Sequence, residues 1–289
     1  RRREGPLSMS TRARHPSSHL ASRLSLTAAL LCGALLTQGC PPAADVKSGA
    51  PPFSADTLPA DPAAVLAIVD QQEAAGASKN ALTALERLQT ASGDWARGAG
   101  AYDVQWRLAR SYAALSEPDG DARSTAVPAG LQAAKRAIEV AGDRVEGHYY
   151  MAQLHGFNAL LQKGDTRPLI QSFVSEAEAA IKADEKYDSA GPLRILGVLY
   201  ARAPKEPVSL GDPEKAVQFM GRAVAAAPDY PPNQFFLAEA FVADERYTDA
   251  EAALATARKL LPDAKWEARR ASWRELLSKV ERKLKAKQN

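Results

Sequence analysis

Apolar and small residues recur at helical spacing along most of the chain, and near the C-terminus they also recur together at a longer interval. Ala216, Met220, Ala223 and Pro228 return 34 places later as Ala250, Leu254, Ala257 and Pro262. Apolar positions every three or four residues predict amphipathic helices. A fixed period of this length predicts stacked helix pairs, each too small to bury its apolar face without a neighbour. The first helix of each pair is marked by a large-small step and an aromatic or His: Leu108-Ala109 with Tyr112, Met151-Ala152 with His155, Leu196-Gly197 with Tyr200, and Leu237-Ala238 with Phe241. Ala134 with Ala137 and Ala177 with Ala180 mark the second helices upstream. A further, degenerate pair is expected near 61–75 and 78–91, with Ala81, Leu85 and Leu88 on one face. Trp266, Trp273, Leu277, Val280 and Leu284 predict a closing helix over 264–286, apolar on one face as a cap must be.

The period and the small-large-small, then Pro, pattern resemble the tetratricopeptide repeat (TPR). The fold class this predicts is all-α: a TPR-like solenoid of four to five helix pairs with a C-terminal capping helix. Its repeat-core positions are Leu108, Ala109, Tyr112, Met151, Ala152, Leu196, Gly197, Tyr200, Ala216, Ala223, Leu237, Ala238, Ala250 and Ala257. Small residues there let paired helices approach while large ones fill the gap. Three pairs are stretched. Tyr112 to Gly130 and His155 to Phe173 each span 18 residues and Tyr200 to Ala216 spans 16, against nine from Phe241 to Ala250. SEPDGDARSTAVP, QKGDTRP and APKEPVSLGDP fall in these gaps, and their composition predicts loops within the repeats. Asp212-Pro213 predicts an N-cap followed by the first turn of a helix.

Charge changes the picture less than its location does. Residues 1–39 hold six of the 37 Lys and Arg but only one acid, Glu4, so the formal +3 of the whole chain becomes near −2 for the rest. That removes the argument for a nucleic-acid partner. Met9 is the first methionine and the expected start; Arg12, Arg14 and Arg23, then the apolar run 24–36, read as a secretory signal too short to span a bilayer. TQGC resembles a lipobox ending at Cys40, although Leu36 stands four rather than three places before the cysteine. The expected organisation is a leader over 1–39, a lipid-anchored tether rich in Pro, Ala and Ser over 40–60, a repeat array over 61–262, and a capping helix with basic tail over 263–289. Fully polyproline-like, the tether would reach about 60 Å. Cys32 and Cys40 are the two cysteines, so no structural disulfide is expected in the body. Pro41, where an Asp would favour inner-membrane retention, points to the outer membrane.

From Lys182 to Lys259 the chain resembles a narrower group, the TatT component associated with tripartite (TRAP) transporters. Gly191-Pro192, Arg194, Leu196-Gly197, Tyr200, Pro204, Pro207, Ser209, Gly211-Asp212, Lys215-Ala216, Asn233 and Phe236 through Ala240 sit at the matching places. Residues 96–183 match more loosely. Ala190 replaces the first Gly of the usual pair, and Gln234 stands where a His is common. The resemblance implies a periplasm-facing, lipid-anchored all-α protein that forms a trimer. It would work with a periplasmic solute-binding protein or another envelope protein and pass apolar ligands. A TPR scaffold for outer-membrane or secretion-machinery assembly is the alternative.

Catalytic signatures are missing from the sequence: it contains no GxxxxGK[ST], HExxH, GxSxG or CxxC. His148 and His155 lie seven apart, about 10 Å along a helix, too far to share a metal. No cofactor and no metal is expected, and the chain reads as a non-enzyme. The remaining candidate is a groove. TPR arrays line it from the first helices, which gives Asp103, Trp106, Arg110, Tyr149, Gln153, Arg194, Val198, Phe235 and Glu239 as partner-binding positions. Aromatics interleaved with Arg suit a peptide or an amphipathic ligand carrying a carboxylate.

Overall fold

The computed structural model describes residues 51–118, 120–204 and 209–288. The leader, Cys40 and the first half of the tether lie outside the described residues. Those described contain 12 α-helices. They are α1 (Pro62–Ala74), α2 (Ser78–Ala91), a short α3 (Gly93–Arg97), α4 (Ala101–Ser116), α5 (Asp121–Val140) and α6 (Val145–Leu161). Then follow α7 (Arg167–Asp184), α8 (Tyr187–Arg202), α9 (Pro213–Ala226), α10 (Pro231–Ala243), α11 (Tyr247–Leu260) and α12 (Arg270–Gln288). Five pairs form, α1/α2, α4/α5, α6/α7, α8/α9 and α10/α11, and α12 packs on α10 and α11 in the place of a further first helix. Neighbouring first helices touch from α4 through α6, α8 and α10 to α12. The expected all-α TPR-like solenoid is therefore what the chain forms.

Small residues set the spacing within each pair. Ala109, Ala134, Ala137, Ala152, Ala177, Ala180, Ala216, Ala223, Ala238, Ala250 and Ala257 are wholly inaccessible, as are Leu196 and Met220. A Cβ on Gly197 would stand 2.7 Å from Met220 Cγ and Sδ, so any other residue would have to displace the buried Met220 side chain. Of the expected core set, Tyr112, Met151 and Leu237 are half-buried. Tyr200 instead stacks on Phe219 at 5.7 Å between ring centroids. Asp212 caps α9 as expected, its Oδ1 accepting from the Lys215 N–H at 3.0 Å ahead of Pro213. Asp61 does the same for α1, ahead of Pro62.

Three expectations need correction. The first stretched gap is mostly helix, since α5 starts at Asp121 and runs 20 residues; in the second, 162–166 is the expected loop, and the extra length goes into an α7 of 18 residues. Pro128 lies inside α5, where it forfeits one backbone bond, yet Val127 and Gly130 on either side are buried and the packing outweighs the loss. In the third gap the described residues 203–204 and 209–212 are non-helical. The end of the tether is not free either. Phe53 and Leu58 pack on the core, the Pro51 carbonyl accepts from Gln72, and Asp56 pairs with Arg87 at 2.8 Å. Finally, the closing segment begins as a 3-10 turn, Ala264–Arg269, before α12. Trp266 in that turn and Trp273 in α12 both pack edge-on against Tyr230, a ring cluster that turns the chain back onto the array.

Candidate functional site

All five first helices contribute to one cleft of about 350 Å³ on the inner face of the array. Asp70, Glu73 and Ala74 come from α1, and Arg110, Ala113 and Ala114 from α4 with Glu117 just beyond it. Tyr149, Tyr150 and Gln153 come from α6, and Tyr187, Asp188, Arg194, Ile195 and Val198 from α8. Phe236 of α10 and Arg269 of the 3-10 turn complete the wall. The superhelix thus brings residues from Asp70 to Arg269 to one cavity, at the lower end of the usual size of small-ligand sites.

Of the nine groove positions expected from the sequence, Arg110, Tyr149, Gln153, Arg194 and Val198 line this cleft and four do not. Asp103 is occupied with Arg107 and with the indole N–H of Trp106. Trp106 lies behind the wall, stacked parallel to Tyr150 at 6.3 Å with the guanidinium of Arg107 4.2 Å from its ring. Phe235 is wholly enclosed; Phe236, one residue and about 100° further round the helix, is the ring that faces the cleft. Glu239 is buried with Arg202 at 2.6 Å and with Lys283, because α12 covers the groove at that end. Burial alone would raise its carboxyl, but those two cations hold it down to about 2.

The most unusual backbone sits at the mouth. Asp188, Ser189 and Ala190 take φ of 49°, 54° and 65° in succession, a left-handed turn built without glycine. Each such residue costs on the order of 1–2 kcal/mol, so the surroundings must hold it. Arg194, only 2% exposed, donates to the Ser189 carbonyl at 2.9 Å, to the Asp188 carbonyl at 3.2 Å and to Asn233 Oδ1 at 3.2 Å. Asn233 in turn donates to the carbonyls of Ser189, Ala223 and Ala227. Tyr149 donates to Asp188 Oδ2 at 2.7 Å, and a Cβ on Gly191 would fall 2.5 Å from that phenol oxygen. The turn places Tyr187 against Tyr149, edge to face at 5.4 Å, and its hydroxyl 3.2 Å from that of Tyr150. Burial pushes both Tyr150 and Tyr187 well above the ordinary phenol value, so the wall is neutral.

The charges on the α1 and α4 side are mostly spoken for. Asp70 accepts from Arg110 at 2.7 Å and from Arg107 at 2.9 Å; burial would raise it, but the arginines hold it below the usual carboxylate value. Glu73 takes the hydroxyls of Ser78 and Ser111. Two buried polar atoms lining this region have no hydrogen-bond partner: Glu117 Oε2 and Arg110 Nε. Neither Glu117, Tyr150, Tyr187 nor Phe236 was expected from repeat spacing. Phe236 is legible only as the neighbour of the expected position, and Glu117, beside Pro118, carries no periodic signal at all. His148 is held between Glu176 at 2.6 Å and the Gly142 carbonyl at 2.9 Å, away from the cleft. Among the described residues no group of three His, Cys, Asp or Glu side chains gathers as a metal site, and no helix is long and apolar enough to cross a membrane.

Comparison with known proteins agrees with this packing. A tetratricopeptide repeat model matches residues 208–272. No curated protein matches significantly. A solved structure, described as that of a thermophilic TPR protein of Thermus thermophilus, is similar over 72% of this chain and 96% of that one. Its TM-score is 0.51 at 22% identity. The chain carries a tetratricopeptide-type helical repeat fold.

Proposed function

We propose that the protein is a non-catalytic interaction scaffold that holds a ligand or a partner segment in the cleft. In the narrower form it is a TatT-like accessory component of a tripartite solute-uptake system, anchored by a lipid on Cys40 and facing the periplasm, from the outer membrane. The observation that carries the reading is the convergence of five first helices on one cavity, with aromatic walls and buried polar atoms left without hydrogen bonds. Two facts support the narrower form. The leader has the pattern of an exported lipoprotein, and three residues of the transporter-associated resemblance meet at the cleft mouth, Arg194 hydrogen-bonded to Asn233 and Gly191 leaving room for the Tyr149 phenol. The test is capture from envelope extract with the lipidated mature protein, read by native mass spectrometry. Ala114→Trp serves as the control, since a bulky ring there fills the cavity. Recovery of a solute-binding protein or a small ligand, lost in A114W, is the expected result. Recovery of a barrel-assembly or secretion component would replace the transport reading with the scaffold one. Capture equal in wild type and A114W would remove the cleft from the function.

A further inference from the structure

We infer that the cleft takes a small organic cation, an ammonium or guanidinium group on a short apolar stem, with Glu117 as its counter-ion. This rests on the cleft being a binding site. Aromatics beside arginines first suggest a carboxylate ligand, but Arg110 and Arg194 of the inner wall already have acids. Arg110 is paired with Asp70, and Arg194 is within 3.1 Å of Asp188 Oδ2. The lining holds Arg110, Arg194 and Arg269 against Asp70, Glu73, Asp188 and Glu117, one acid in excess. The other acids are hydrogen-bonded to side chains around them: arginines for Asp70 and Asp188, and two serines for Glu73.

Glu117 is 4% exposed and lines the cavity, and its Oε2 accepts nothing. Arg123 donates to the carbonyls of Ser116 and Glu117 at 2.7 and 2.8 Å and so fixes the backbone from which the side chain enters the cleft. A buried acid in that position is expensive unless it is neutral or finds a cation. Burial pushes the Glu117 carboxyl well above its usual value, against the opposing pull of Arg269, and a cation bound beside it would pull the carboxyl back down. The neutral faces of Tyr149, Tyr150 and Tyr187 suit a cation, and Ala74, Ala113, Ala114, Ile195 and Val198 suit its stem. Arg110 Nε, a single N–H on an already neutralised guanidinium, suits a carbonyl or hydroxyl on the same ligand.

The experiment is titration calorimetry on the full mature chain with hexylamine, agmatine, a lysine-centred pentapeptide and hexanoate. Saturable binding of the amines but not of hexanoate is expected. A response to the pentapeptide would identify a basic side chain as the source, and a response to the free amines alone a small molecule. Glu117→Gln, which keeps the shape, should weaken amine binding by about tenfold or more. Glu117→Asp should keep the preference for hexylamine over hexanoate. Equal binding of hexanoate, unchanged amine binding in E117Q, or no amine binding at all would each overturn the inference. If A114W ends capture from extract while wild type ignores the amines, the cleft remains the binding site and only the cation assignment falls.

Discussion

Glu117 and Glu239 are two buried acids on the same inner face, and they have opposite fates. Glu239, at the end closed by α12, is gripped by Arg202 and Lys283 and stays ionised down to about pH 2. Glu117, in the open cleft, has no partner on Oε2 and is pushed the other way. Burial is shared, so burial does not explain the difference; a cation in direct contact does. At the closed end the protein supplies that cation itself. The comparison teaches where the array is finished as a structure and where it has been left incomplete, at a cost in stability, for something else to complete.

The sharpest way to break the comparison is to remove the completed pair. Glu239→Ala leaves Arg202 and Lys283 facing a cavity and should cost about 3–5 kcal/mol in urea unfolding, unlike any change at Glu117. The same pair shapes the acid limb of the wild-type protein. Because the folded carboxyl lies below its unfolded value, its stabilisation is complete above about pH 4.5 and is lost as pH falls toward 2, on the order of 3 kcal/mol in all. A pH series of unfolding midpoints checks this, and Glu239→Gln should flatten that limb. Next, Arg194→Ala should cost about 2–4 kcal/mol, since it strands the Asp188 and Ser189 carbonyls and Asn233. Amide exchange over 187–194 should rise with it.

Glu117→Gln runs in the opposite direction. A carboxyl raised above its unfolded value is a penalty at neutral pH that fades as pH drops below the unfolded value, so the variant should be about 1–2 kcal/mol more stable at pH 7 and equal to wild type near pH 4. The smallest effect belongs to the left-handed turn. Ser189→Gly removes a Cβ at φ 54° and should stabilise by at most about 1 kcal/mol, the relief of strain being offset by glycine's greater chain entropy. The same change in a regular helix destabilises, so the sign alone separates the two backbones.

The regular end of the array was legible because its information is local. Ala216, Met220 and Ala223 and their counterparts at 250, 254 and 257 repeat at the period of the fold, and each is buried as that period requires. Gly120 and Gly164 do mark the turns before α5 and α7, but the start of α5 was misread where Pro128 looks like loop chemistry. Proline is tolerated there because burial on both sides of it holds the helix. Ala190, which departs from the resemblance by replacing a glycine, turns out to stand at φ 65°, a departure whose strain no spacing argument displays. The cleft was half legible. Arg110, Tyr149, Gln153, Arg194 and Val198 follow from the repeat register. Glu239 was misplaced because its partner Lys283 lies 44 residues on, in a helix whose docking the register does not encode. Glu117 has no register at all, since only the superhelix brings Arg269 and Asp70 around it.

Glu117 is kept for an occupant and against stability. This is tested most directly by urea unfolding of wild type and Glu117→Gln at pH 7, each with and without saturating hexylamine. The variant should be more stable than wild type when both are empty, and wild type alone should gain stability from the amine. A variant less stable than wild type, with neither protein responding to the amine, would show Glu117 to be an ordinary part of the fold and would contradict that role.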